Sequence, residues 1–203
     1  MTRLLLFNKP YRVLSQFTDS AQSTAEGKSR QTLAHYITTP QFYPAGRLDY
    51  DSEGLLLLTD NGSLQARIAQ PGYKLEKLYW VQVEGRPMTE QLAKLRSGVR
   101  LNDGPTLPAK ANLLSKAPLL WVRSPPVIQH REQNSSWLEI GLVEGRNRQV
   151  RRMCAAIGHP VLRLVRHRIG RWALGNLQPG ESTWRDVHLP DGRNRRKASH
   201  RRH

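Results

Sequence analysis

The segment Gly46-Arg47-Leu48-Asp49-Tyr50-Asp51-Ser52-Glu53-Gly54 sets three carboxylates and an arginine between two glycines, just ahead of Leu55-Leu56-Leu57-Leu58. A short apolar run after a turn signal reads as a buried strand. Carboxylates at the mouth of such a strand need partners, because an unpaired buried charge is costly. The second chemically suggestive stretch is Gly145-Arg146-Asn147-Arg148-Gln149-Val150-Arg151-Arg152-Met153. On a helix over residues 146–157, Val150, Met153, Cys154 and Ile157 form one apolar stripe, and Arg148, Arg151 and Arg152 a neighbouring cationic face. Together the two stretches suggest a carboxylate held ionised by an inward arginine, with further arginines free to meet phosphates.

A calcium loop is the competing chemistry. Asp49, Asp51, Glu53 and Gly54 take positions 1, 3, 5 and 6 of such a loop, and Asp60 takes position 12. Glu at position 5 and Asp at position 12 depart from the usual pattern, and a leucine strand stands where a flanking helix is needed. The seven histidines and the single cysteine have no zinc-ligand spacing, and no P-loop glycine pattern is present. Neither a zinc site nor a P-loop nucleotide site is expected.

The elements that must position these groups follow from periodicity. Strands are predicted at Leu4–Phe7, Leu55–Leu58, Leu78–Glu84, Trp137–Val143 and Val161–Ile169, from short apolar runs or period-two alternation. Helices are predicted at Thr32–Ile37, from Leu64 until Pro71-Gly72 stops it, and over Glu90–Ser97 with Thr89 as its cap. Residues 18–30 read as a polar loop, and 123–136 as a long loop or hairpin tip. The interleaving favours an α+β fold with a mixed, largely antiparallel sheet. The five tryptophans read mostly as core, and Cys154 as an inert core residue.

Charge narrows the partner. The chain has 203 residues with 32 Lys+Arg against 16 Asp+Glu, a formal net charge of +16. Six of those cations lie in residues 193–203, so the preceding body still carries +10. That balance predicts a polyanionic partner, nucleic acid before an anionic membrane. Residues 191–203 read as a basic, disordered tail that adds non-specific affinity. No apolar run is long enough for a transmembrane helix, and the opening is too short for a signal peptide. One cysteine fits a reducing compartment, so the cytoplasm is expected.

Four pieces together resemble the RsuA-type pseudouridine synthases: Phe7-Asn8-Lys9-Pro10, the Gly46–Leu55 segment, Lys77–Gly85 and Gly145–Met153. They stand in family order and span residues 7 to about 185. The resemblance implies the pseudouridine synthase catalytic fold over residues 1–190, without the S4-type RNA-binding domain of many relatives. It implies conversion of uridine to pseudouridine in RNA with no cofactor. Within the family the chain is most similar to a large-subunit ribosomal branch, which implies ribosomal RNA as partner, with a monomer as the default.

Residue by residue, the resemblance makes Asp49 the catalytic carboxylate, Arg151 its ionic partner and Tyr79 the aromatic that stacks on the target base. Leu164 is implied as an apolar wall of the pocket, and Arg47 as a cation that holds the nucleotide out of its helix. Lys9, Arg148 and Arg152 are expected to contact RNA. Asp51 and Glu53 are expected to organise the loop. A non-catalytic ribosomal RNA-binding or assembly protein would explain the charge equally well, but not the acid-rich turn, because carboxylates repel phosphate.

Overall fold

The computed structural model describes residues 2–19, 29–69, 71–73 and 75–188. Its strands are β1 (Thr2–Lys9), β2 (Tyr43–Pro44), β3 (Glu53–Thr59), β4 (Lys77–Glu84), β5 (Arg100–Leu101) and β6 (Gly104–Pro105). They continue with β7 (Lys110–Leu113), β8 (Ser135–Leu142), β9 (Val161–Ile169), β10 (Trp172–Ala173) and β11 (Ser182–Val187). Among the described residues four α-helices accompany them: α1 (Gly62–Ala69), α2 (Thr89–Ser97), α3 (Gln129–Gln133) and α4 (Gln149–Ala156).

The main sheet runs β11-β1-β3-β9-β4-β8-β7, with β2 on β3 and β10 on β9. Only β3 and β9 run parallel within it, over Glu53↔Val165 and Gly54↔Arg166; the other pairings are antiparallel. The expected mixed, largely antiparallel α+β sheet is therefore present.

The leucine run of β3 explains itself once the layers are seen. Leu55 and Leu57 belong to one core cluster with Leu4, Leu6 and Val165, whereas Leu56 and Leu58 join Leu5, Phe7 and Leu33 in another. Successive strand residues point to opposite faces, so a strand covered on both sides is apolar at every position. β4 shows the other pattern. Tyr79, Val81 and Val83 enter a third cluster with Leu138, Ile140 and Val150, while Trp80 leans on the first, that of Leu55 and Leu57. Two register irregularities in the β4–β9 ladder flank this stretch, between Leu78 and Tyr79 and between Gln82 and Val83. Such irregularities re-aim side chains, and Tyr79 stands beside the first.

At Gly54 a side chain is excluded. Its φ is +103°, and a Cβ there would lie 2.4 Å from the Arg166 carbonyl oxygen. Glycine alone lets β3 and β9 approach this closely at the head of the acid turn.

Several sequence expectations need correction. The 32–37 helix is a single 3₁₀ turn, Leu33–His35. Thr89 is the first residue of α2, and Met88 caps it, its N–H donating to Gln91 Oε1 at 2.8 Å. The arginine helix begins at Gln149, not Arg146, because Arg148 adopts a left-handed conformation (φ 47°, ψ 35°). Residues 123–134 are part of the β7–β8 connection and contain α3, and residues 135 and 136 already open β8. Strands β7 and β11 were not anticipated. Part of the 18–30 loop and the 191–203 tail lie outside the described residues.

Candidate active site

The acid turn is clipped at both ends before it enters β3. Ser15 Oγ donates to the Leu48 carbonyl at 2.8 Å and accepts from the Leu48 N–H at 3.1 Å. The Arg12 N–H donates to the Tyr50 carbonyl at 2.8 Å, and the Ser52 N–H to the Asp49 carbonyl at 3.1 Å. Leu48 is buried in the cluster that holds Tyr79 and Val150. With Leu48 anchored inward, Asp49 faces the cavity beside it. That cavity has a volume of about 610 Å³, and its walls include Asp49, Arg47, Tyr79, Leu164, Arg148 and Arg166.

Asp49 and Arg47 of the acid turn, Tyr79 of β4 and Leu164 of β9 are thus brought together from three separate segments. Tyr79 and Leu164 are buried, which fits them as walls, whereas Arg47 is exposed. Asp49 keeps 30 % of its side-chain surface open.

The arginine partners differ from expectation. Arg151 does not pair directly with Asp49: its Nη2 donates to the Asp51 carbonyl at 2.6 Å, and its Nε lies 3.4 Å from Asp51 Oδ2. Arg148 holds the Asp51 carboxylate with two 2.8 Å bonds, and its Nη1 stands 3.8 Å from Asp49 Oδ2. The cause is local. Because Arg148 sits outside α4 in a left-handed conformation, its side chain falls across the turn; Arg151, one helical turn on, reaches the turn's backbone.

Electrostatics follows this geometry. Burial raises the Asp51 pKa, but the Arg148 hydrogen bond and the charges of Arg151 and Arg148 outweigh it, leaving Asp51 below the usual carboxylate range. Burial lowers the Arg151 pKa, and both Asp51 and Asp49 oppose that fall, so Arg151 feels Asp49 without touching it. An arginine remains charged even then.

Two other expected RNA contacts are corrected. Lys9 is fully buried, its Nζ donating to the carbonyls of Pro10 at 2.9 Å and Val13 at 2.7 Å. It lies on β1, which is covered by β11 on one side and β3 on the other. Burial lowers its pKa to about 7, against the pull of Glu53, Asp51 and Asp49. It acts as an internal group of the site and not as a phosphate contact. Arg152 turns away to the β5–β6 hairpin, where two bonds of 2.8 and 3.1 Å hold Asp103.

Glu53 supports the expectation that it organises the loop. It is 1 % exposed, its carboxylate accepts two 2.9 Å bonds from Arg163, and Trp121 Nε1 donates to it at 2.8 Å. With Glu53 inside β3 and bound to Arg163, and Asp51 bound to arginines, the residues of the apparent calcium loop do not converge on one point. Among the described residues no group of three or more His, Cys, Asp or Glu is arranged to hold a metal ion. Cys154 is fully buried, which pushes its thiol pKa up to about 12.

Sequence reasoning missed Arg166, Lys77 and the Ser15 clip. Arg166 is buried, with Nε on the Leu55 carbonyl at 2.8 Å and Nη1 on the Arg47 carbonyl at 3.2 Å. A signal for it existed: it lies two residues beyond Leu164 in a strand, hence on the same face. Lys77 also lines the cavity, and burial lowers its pKa. The bonds that fix Ser15 join segments 33 residues apart and leave no local pattern.

The cavity and its ordered walls can be compared with known proteins. Residues 3–156 match the RNA pseudouridylate synthase family. The ribosomal large subunit pseudouridine synthase E of Xanthomonas campestris pv. campestris is 57% identical over 182 residues, covering 90% of this chain and 94% of that protein. The synthase of the same name from Vibrio parahaemolyticus is 52% identical, covering 92% of this chain and 74% of its own. A crystal structure of a pseudouridylate synthase superposes with a TM-score of 0.74 at 28% identity, over 92% of this chain and 71% of that one. Among the described residues no helix is long and apolar enough to cross a membrane. With these matches spanning the acid turn, the tyrosine strand and the arginine segment, this chain belongs to the RNA pseudouridylate synthase family and is a pseudouridine synthase.

Proposed function

We propose that this enzyme isomerises a uridine of large-subunit ribosomal RNA, with Asp49 as the catalytic carboxylate. The observation that carries the assignment is the place of Asp49: a half-open carboxylate in a cavity walled by Tyr79 and Leu164, with guanidinium groups on its other side. The reaction breaks the N1–C1′ bond, turns the uracil, and closes a C5–C1′ bond; C5 gives up its proton and N1 takes one up, so the product is an isomer of uridine. Positive charge develops at the sugar as N1 departs. A carboxylate beside C1′ answers that charge, as carboxylates do in glycoside hydrolysis.

Tyr79 offers an aromatic face to the extruded base, and Leu164 closes the pocket beside it. Arg47, exposed at the mouth, is placed to fill the gap that the uridine leaves, which offsets part of the few kcal/mol that flipping costs. Arg148 and Arg151 keep Asp51 ionised and the turn ordered. The similarity to large-subunit synthases supports the RNA class. We place the enzyme in the cytoplasm as a monomer acting without a cofactor.

The test is incubation of ribosomal RNA from a strain lacking this protein with purified enzyme, followed by mapping of pseudouridine in both subunits' RNA. Modification confined to large-subunit RNA, lost in Asp49→Asn with RNA binding retained, is the expected outcome. Equal modification by Asp49→Asn would remove Asp49 from the mechanism. Modification of small-subunit RNA alone would correct the substrate.

A further inference from the structure

The connection between β7 and β8 carries a feature that the uridine pocket does not use. Residues 114–128 contain no Asp or Glu and include Lys116 and Arg123; the cations on either side, Lys110 and Arg131, are paired with Glu76 and Glu84. Within this acid-free stretch Leu119 is 100 % exposed and Val122 is 94 % exposed. Large apolar side chains standing wholly in water usually mark a contact surface.

This segment is held in place, and its anchors lead to the active site. Leu120 and Trp121 pack against a core cluster, and Trp121 Nε1 bonds Glu53 of the acid turn at 2.8 Å. The Trp121 carbonyl accepts from Arg163 at 3.1 Å. Arg123 donates from Nη1 to the Leu162 carbonyl at 3.1 Å and from Nε to the Pro125 carbonyl at 2.9 Å. Both partners are carbonyl oxygens, so its charge is not neutralised by them. Its guanidinium lies 4.3 Å from the Tyr11 ring centroid, with that of Arg12 at 5.6 Å. Arg12 is the residue whose N–H holds Tyr50, next to Asp49. Arg12 also adopts a left-handed conformation (φ 58°), an arrangement kept at some backbone cost. Exposed apolar tip, cation-flanked tyrosine and catalytic turn therefore form one continuous, rigidly joined rim.

We propose that residues 114–128 are a fixed RNA-docking arm, in which Leu119 and Val122 pack on unpaired bases beside the target uridine and Arg123 and Arg12 take the flanking phosphates. The inference rests on the reading of the cavity as a uridine site. RNA is the occupant that fits both halves of the surface. Base faces are apolar and stack on or are wedged apart by aliphatic side chains, while the phosphates need cations that no nearby carboxylate competes for. Recognition of single-stranded RNA through bases and phosphates together is what such a rim can do; an apolar tip alone would give no reason for the acid-free stretch around it.

The experiment uses the full chain and unmodified large-subunit ribosomal RNA. Leu119→Asp/Val122→Asp alters only exposed positions, so its thermal midpoint should match the parent. Its Kd for the RNA should rise roughly tenfold or more, with kcat at saturating RNA retained. Arg123→Gln should lower the slope of log affinity against log salt by about one ion's worth. Unchanged Kd and KM in the double variant, with parent enzyme active, would overturn the arm. So would loss of binding to phosphatidylserine vesicles, or to a protein partner, with RNA affinity intact. If the parent forms no pseudouridine in any ribosomal RNA, the substrate reading fails on its own, and RNA affinity of the variants still decides the arm.

Discussion

The two ends of one acid turn hold their carboxylates in opposite ways. At the strand end, Glu53 is sealed at 1 % exposure, and all its partners lie within 2.9 Å. At the cavity end, Asp49 keeps 30 % of its side chain open, and its ion pair with Arg148 spans 3.8 Å. Asp51 stands between them, bound tightly by Arg148 and more loosely by Arg151. A buried carboxylate bonded through both oxygens can fix a fold but cannot meet a substrate. A carboxylate that is screened and ordered by its neighbours, yet left with an open flank, can.

That contrast can be broken at either end. Asp49→Asn should reduce pseudouridine formation by about 10³-fold or more while leaving thermal stability and RNA affinity close to the parent's. Glu53→Ala should do the reverse in kind. It strands the buried Arg163 guanidinium, so urea unfolding should show a loss of about 3–5 kcal/mol, with activity falling only as the fold does. A stable Glu53→Ala enzyme with no turnover would mean that the two ends are not separate.

Arg148 sharpens the comparison from the middle. Arg148→Ala frees Asp51 from its bidentate partner but leaves Arg151 in place. Turnover should fall roughly tenfold, less than in Arg151→Ala, which also loses the contact to the turn's backbone. The measurement is single-turnover kinetics on both variants. An equal effect would make the two arginines one unit.

The smallest expected effect concerns Lys9, which senses Glu53, Asp51 and Asp49 together. Its pKa falls from the ordinary 10.5 to about 7 on burial. Between those values the unfolded chain binds a proton that the folded chain does not, so stability rises with pH from about 7 upward. Below 7 both states are protonated, and this gain is absent. Unfolding free energy measured at pH 7, 8 and 9 should climb by about 1 kcal/mol per unit more in the parent than in Lys9→Met. Parallel profiles would place the Lys9 charge elsewhere than inside.

Much of the site was legible in the sequence, because its signals are local. Asp49 announced itself as part of an acid turn in a basic chain, Tyr79 as the inward member of an alternating strand, and Leu164 as an apolar residue of another. Lys9 misled because nothing local shows that β1 is flanked on both sides; the same Asn-Lys-Pro element would serve as a surface contact on an edge strand. Arg152 misled because its partner, Asp103, sits 49 residues away on a hairpin with no periodic pattern.

By itself, then, the chain order determined five strands of the main sheet, the burial of β3, and the acid turn as the stretch to examine. These depend on propensity and periodicity, which act over a few residues. Only the tertiary structure decided who pairs with whom. The Glu53–Arg163 bond joins residues 110 positions apart, and the left-handed turn at Arg148 gives Asp51, not Asp49, the tight guanidinium. Charge pairing is settled by distances of a few ångströms across strands that the fold has first to bring together, and no spacing along the chain encodes those distances.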